Sequence, residues 1–214
     1  SIHILLRDVK DAQHLGDAPQ CPKNMRWGNF SKKEMSLKPS PTKPMKLLIE
    51  LINEIILKLP VDTRRIYITG LSMGGFGAMK FAVKYPERFV LAGSFSGALR
   101  AAEWSEKELS VTRWKVLIES VSNSFGAADS EVRKQNDLFG IVRSKSSDDL
   151  KILPFLYMDC GTEDILVLEK QRFAKLVLEK KVAHEFRQLP GAHNWKFWDA
   201  QIQEFLKLSK KFVK

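Results

Sequence analysis

The sequence predicts an α/β fold, a mostly parallel sheet flanked by helices. Three observations lead there. Residues 46–96 alternate helix, strand, sharp turn, helix, strand. The apolar strand candidates are short and β-branched or aromatic, as buried parallel strands are. Glycine concentrates between the first of these strands and the helix that follows it.

The elements follow in order. Residues 2–6 are a short apolar strand or strand remnant. Residues 7–44 are polar and broken by Pro19, Pro22, Pro39, Pro41 and Pro44. From Lys46 to Leu59, apolar residues recur at spacings of one, three and four, the pattern of an amphipathic helix. Pro60 and Asp62 end it. Arg65 to Thr69 is a buried strand, Gly70 to Gly77 a glycine-rich turn, and Ala78 to Tyr85 a helix stopped by Pro86. Phe89 to Phe95 is a second buried strand.

Residues 97–150 are the most irregular stretch. Trp104 to Val121 can hold one or two helices, with Asn123 to Gly126 breaking them. Pro154 to Asp159 is another strand, ending at Cys160 and Gly161. Leu166 to Lys180 is helical, Ala183 to Leu189 alternates as a strand, and Trp195 to Phe212 closes the chain as an amphipathic helix. No internal repeat or low-complexity linker is present.

Bulk properties narrow the classes. The 214 residues support one domain over 1–214, with 99–150 as a lid-like or pocket-lining insertion. Apolar residues make up 44%, with 13 Phe and 5 Trp, which excludes compositional disorder. The net charge is +10, but the cations are scattered among acids, as in Glu106-Lys107-Glu108. No nucleic-acid partner is therefore expected. Cys21 and Cys160 lack metal or redox spacing and read as free, buried thiols or as a single bridge. No run of about 18 apolar residues suggests a membrane span. The chain begins at Ser1 without an initiator Met, as a mature form, a trimmed form or a fragment would. The start is apolar but too short for a signal peptide; a soluble protein is the expectation, with the cytoplasm slightly favoured and the compartment not fixed by the sequence. The sequence does not fix the oligomeric state.

One motif carries chemistry. Gly70-Leu71-Ser72-Met73-Gly74 fits G-x-S-x-G between a strand and a helix. That context demands a tight, strained turn that lifts the Ser72 hydroxyl clear of the sheet. It also sets Ser72 at a helix N-terminus, where the Met73 N–H is the first donor for an oxyanion. The alternatives are a plain strand-to-helix turn or a phosphate loop. The chain has no Gly-Lys-Ser/Thr and no suitably placed G-x-G-x-x-G.

A serine nucleophile needs a base, and the base needs an orienting acid. Only His184 and His193 follow Ser72. His184 lies within a strand, whereas His193 lies in a loop after one, so His193 is the candidate base. Asp164 is the candidate acid, in the loop after strand 154–159. Glu163 and Asp159 compete with it, and Asp164 could instead cap the next helix. Trp104 and Trp114 are either pocket-lining or core residues. Trp195 and Trp198 read as supports for the histidine loop, with a substrate contact as the alternative.

Three segments together resemble the esterase D-like branch of the α/β-hydrolases: residues 70–78, 85–89 and 94–98. Cys160 to Asp164 and Leu189 to Asp199 resemble its acid and histidine segments. Ala18 to Trp27 resembles a related branch of predicted peptidases and polymer esterases. The resemblance implies an α/β-hydrolase-type fold, reduced at the N-terminus, with Ser72, Asp164 and His193 as a catalytic triad. It implies hydrolysis of short-chain acyl or carbohydrate (acetyl or feruloyl) esters through an acyl-enzyme, with no cofactor and no metal. Such enzymes carry a His-Gly segment before the elbow that gives a second oxyanion donor. This chain has no His-Gly pair. An inactive binding scaffold and a serine peptidase are the competing readings.

Overall fold

The computed structural model describes residues 2–8, 43–105 and 121–212. The chain divides into two compact units, residues 7–61 and residues 1–6 with 62–214. In the first lies helix α1, Lys43–Lys58. Met45 and Ile52 are buried there, while Leu47, Leu51 and Leu59 are exposed, so only part of the apolar face anticipated for this helix is covered.

The second unit is built on a sheet of β1 (Ile2–Asp8), β2 (Val61–Leu71), β3 (Leu91–Phe95), β4 (Phe155–Gly161) and β5 (His184–Leu189), in that order across the sheet. Strands β2 to β5 run parallel. The register aligns Leu71, Phe95 and Asp159, so β2, β3 and β4 come to their C-terminal ends at one edge. Between them run α2 (Met73–Lys84), α3 (Glu131–Lys134), α4 (Leu138–Ser144), α5 (Ser147–Lys151) and α6 (Val167–Glu179), and α7 (Trp195–Ser209) follows β5. None of the helices described is long and apolar enough to cross a membrane.

Alternation along the strands assigns the two faces. Tyr67, Leu91, Phe95 and Tyr157 point toward α7, where Phe197, Trp198, Phe205 and Leu208 close an aromatic core. Phe205 lies edge-on to both Phe95 and Tyr157, each with ring centroids 5.7 Å apart, within the favourable range for such pairs. The intervening residues of β3 and β4, among them Ser94 and Cys160, face the other way.

The sequence placed most elements within a few residues. Helix α2 differs, because it begins at Met73, directly after Ser72, and not at Ala78. Gly74, Gly75 and Gly77 lie inside the helix, while Gly70 belongs to β2. Residues 121–125 are helical, so Asn123 to Phe125 do not break the helix, which ends at Gly126 with φ 73°. Three short helices, α3 to α5, occupy 131–151, where the sequence showed little periodicity. Local capping sets two of them: the Ser130 side chain accepts from the Arg133 amide at the start of α3, and Ser146 and Asp149 form a capping box at α5. The buried Arg133 guanidinium donates to the carbonyls of Ala102, Trp104 and Gly126. Trp114 and Cys21 lie outside the described residues, as do residues 9–42, which include the Ala18 to Trp27 segment.

Candidate active site

Strand β2 ends at Leu71 and α2 starts at Met73, so Ser72 alone makes the turn. Its φ of 53° and ψ of −121° lie outside the regions that L-residues favour. Such a conformation costs on the order of 1–3 kcal/mol and persists only where surrounding bonds over-determine it. The bonds are present. The Ser72 N–H donates to Phe95 O at 2.9 Å, and Ser72 O accepts from Ala98 N–H at 3.2 Å and Phe76 N–H at 3.2 Å. Serine at a helix start ordinarily caps the helix with its side chain. Here the side chain makes no capping bond, and its hydroxyl points elsewhere.

It meets His193. The Ser72 Oγ to His193 Nε2 distance is 3.0 Å. On the far side of the ring, Nδ1 lies 3.0 Å from Asp164 Oδ2 and 3.2 Å from Oδ1. The loops that hold these residues are tied to one another. Thr162 N–H donates to Leu189 O and Glu163 N–H to Gly191 O, both at 2.9 Å. Gly191 adopts φ 148°, and a Cβ there would stand 2.5 Å from the Phe197 ring. Glycine is thus required by conformation and by space. Asn194 caps α7 by accepting from Phe197 N–H, and Trp198 meets the His193 ring edge-on at 4.9 Å. Trp195 packs on Trp198 in turn. This is the support anticipated for the histidine loop.

Asp164 is 2% exposed. Burial opposes its charge. The hydrogen bonds with His193 and from the Leu166 amide, with the Ser96 hydroxyl nearby, outweigh that penalty and hold its pKa below the ordinary carboxylate value. It is therefore an anion facing Nδ1. A tautomer with Nδ1–H donating to it presents Nε2 as an acceptor toward the Ser72 hydroxyl.

The competing residues fall elsewhere. Glu163 is exposed and reaches Gly191 only through its backbone. Asp159 is buried, with Oδ1 accepting from Ser96 N–H at 3.3 Å. His184 Nδ1 lies 2.8 Å from Val182 O. Asp164 does not serve as the N-cap of α6, a position taken by Leu166. Met73, as the first residue of α2, has an amide outside the helix's own ladder of bonds. Trp104 is half-buried, and its carbonyl accepts from Arg133. Cys160 is a free, buried thiol whose pKa burial pushes up to about 12, so it is unreactive at neutral pH.

The model of a family described as "Putative esterase" matches residues 46–208. The chain belongs to that family. Among curated relatives it is similar to an acetyl esterase of Caldicellulosiruptor saccharolyticus, 26% identical over 147 residues, which are 69% of this chain and 55% of the relative. Among solved structures, a substrate-bound fluorophosphonate-binding serine hydrolase of Staphylococcus aureus superposes with a TM-score of 0.63 at 23% identity, over 77% of this chain and 62% of that one. An S-formylglutathione hydrolase of Agrobacterium tumefaciens superposes with a TM-score of 0.60 at 25% identity, over 80% and 57%. The fold is that of the α/β-hydrolase serine hydrolases. This esterase-family chain spans about half the length of the acetyl esterase it matches.

The sequence did not single out a polar cluster behind the elbow in this family member. Lys170 is 0% exposed, and burial lowers its pKa against the opposing pull of Asp159, Cys160, Glu169 and Asp164. A signal was available. Leu166, Lys170, Phe173 and Val177 recur at spacings of four, three and four, so a lysine stands on the apolar stripe of its helix.

Proposed function

We propose that the chain is a serine carboxylic ester hydrolase acting through an acyl-enzyme, with Ser72 as nucleophile, His193 as general base and Asp164 as the orienting acid. One observation carries this reading: the His193 ring bridges Ser72 Oγ and Asp164 with a 3.0 Å approach on each side. Nucleophile–base and base–acid contacts within this range are what the chemistry needs.

The steps follow from the atoms. Ser72 Oγ attacks the ester carbonyl carbon while Nε2 takes its proton. The carbonyl oxygen becomes an oxyanion, received by the Met73 N–H at the start of α2. The imidazolium, stabilised by the Asp164 carboxylate, returns the proton to the departing alkoxide, and the C–O bond breaks. Water then attacks the acyl-enzyme by the same route and releases the carboxylic acid. The substrate class is short-chain acyl or carbohydrate esters, acetyl esters first, as the acetyl esterase relative suggests.

The test is hydrolysis of p-nitrophenyl acetate, acetylated and feruloylated sugars, and peptide amides by the wild type and by Ser72→Ala. Ester turnover that falls at least about a thousandfold in the variant supports the reading. A wild type no faster than the variant marks an inactive binding scaffold. Amide turnover above ester turnover marks a peptidase.

A further inference from the structure

Behind the Ser72 hydroxyl lies a sealed polar knot that the proposed chemistry does not use. Lys170 Nζ donates to Ser94 O at 3.0 Å and to Ser94 Oγ at 2.5 Å. Lysine beside a serine hydroxyl has the makings of a base and its nucleophile. Both residues are 0% exposed, so no substrate reaches them. Their effect has to pass through what they hold.

What they hold is the turn that grips Ser72. Ser94 starts the segment 94–98, which supplies Phe95 O to the Ser72 N–H and Ala98 N–H to the Ser72 carbonyl. The turn needs fastening, since Ser96 within it has φ 44°, another strained value. Ser96 N–H donates to Asp159 O at 3.1 Å, and Glu169, next to Lys170, accepts from Arg100 N–H at 3.1 Å. The packing is too close for slack. A Cβ on Gly97 would stand 3.1 Å from Lys170 Nζ and 3.1 Å from the Gly75 carbonyl carbon. Ammonium, turn and elbow helix therefore touch in one place.

We infer that Lys170 is a positioning residue for the nucleophile: its ammonium fastens Ser94, and through residues 94–98 it keeps Ser72 in the strained conformation that aims its hydroxyl at His193. The inference rests on the reading of Ser72 as nucleophile. Helix α6 then serves both partners of the histidine. The Asp164 loop leads into it, and at the end of its first turn Lys170 secures the elbow.

Lys170→Met keeps the aliphatic stem and removes the donor. The expected result is full labelling of Ser72 by a fluorophosphonate probe, one per folded chain, at a rate reduced about ten- to a hundredfold. The loss in kcat on p-nitrophenyl acetate should match, with KM within about threefold, as a displaced reacting atom implies. A residue that only stabilises the fold predicts the opposite pattern, a smaller labelled fraction whose surviving sites react at the wild-type rate, and that pattern overturns the inference. Should Lys170→Met not yield folded protein, Ser94→Ala decides. It removes one of the two acceptors and should slow labelling in the same direction by a smaller factor. An unchanged rate overturns the proposal. A wild type that the probe does not label at Ser72 is a different failure, that of the nucleophile reading itself.

Discussion

The two faces of the sheet are built on opposite principles. Toward α7 the strands present Tyr67, Phe95 and Tyr157, and the helix answers with Phe197, Trp198 and Phe205. Toward α2 and α6 they present Ser94 and Cys160, and the helices answer with Gly75 and a buried lysine. The aromatic face buries large apolar surfaces with tolerant geometry, which stabilises the fold. The small-residue face brings backbones within contact distance and satisfies polar groups inside the core, which fixes atoms in place. Both faces reach the same edge, where Ser72, Asp164 and His193 follow the ends of β2, β4 and β5. Stability and placement are thus supplied by different side chains, and substitutions should separate them.

The largest effect on stability is expected on the aromatic face. Phe205 is fully buried between Phe95 and Tyr157. Phe205→Ala should cost about 3–5 kcal/mol, measured by denaturant unfolding. The fluorophosphonate rate of molecules that remain folded should stay within about threefold of wild type. A rate loss as large as the stability loss would erase the distinction between the faces.

The next effect depends on pH. Burial raises the Glu169 pKa from 4.5 to about 7, although the Arg100 amide bond and nearby cations oppose the shift. The folded state then binds more protons than the unfolded chain between these values, so stability falls as pH rises. This contribution is fully present below pH 4.5 and lost above pH 7. Glu169→Gln removes the titration. Relative to the wild type, the variant should gain about 3 kcal/mol between pH 4.5 and pH 8, read from unfolding curves at each pH. A difference that does not change with pH would contradict the assignment.

The smallest effect on stability is expected on the close-packed face. A Cβ on Gly75 would stand 2.7 Å from Ser94 Oγ, 2.9 Å from Gly97 Cα and 3.0 Å from Gly70 O. Two of those atoms are backbone and cannot swing aside. Gly75→Ala should cost about 1–3 kcal/mol, less than Phe205→Ala, yet slow Ser72 labelling at least about tenfold. That inversion, a smaller stability loss with a larger rate loss, sharpens the comparison most.

The candidate site was legible in the sequence because the pattern that proposes it is local. A strained turn needs Gly70 and Gly74 around Ser72, and the chain order Ser, Asp, His follows from the strands that carry the loops. Strands β2 to β5 were legible because parallel strands buried on both faces leave continuous apolar runs. Helix α2 was misplaced by five residues because its first turn is made of glycines, chosen for close approach and poor in helix propensity. Helices α3 to α5 are not legible because each is too short to reveal an amphipathic face, and the capping residues of α3 and α5 look like ordinary loop composition. Lys170 escaped notice because lysine on a helix ordinarily reads as solvated, and only its place on the apolar stripe marks it.

The most direct measurement of the proposed reaction is the mass of the protein during exposure to the ester. Quenched early in a p-nitrophenyl acetate reaction, the wild type should release a burst of p-nitrophenol approaching one per chain, with an added acetyl group on the peptide that contains Ser72. His193→Ala should show neither burst nor acetyl at that time. An acetyl group found on another residue, or on Ser72 at the same rate without His193, would contradict the account.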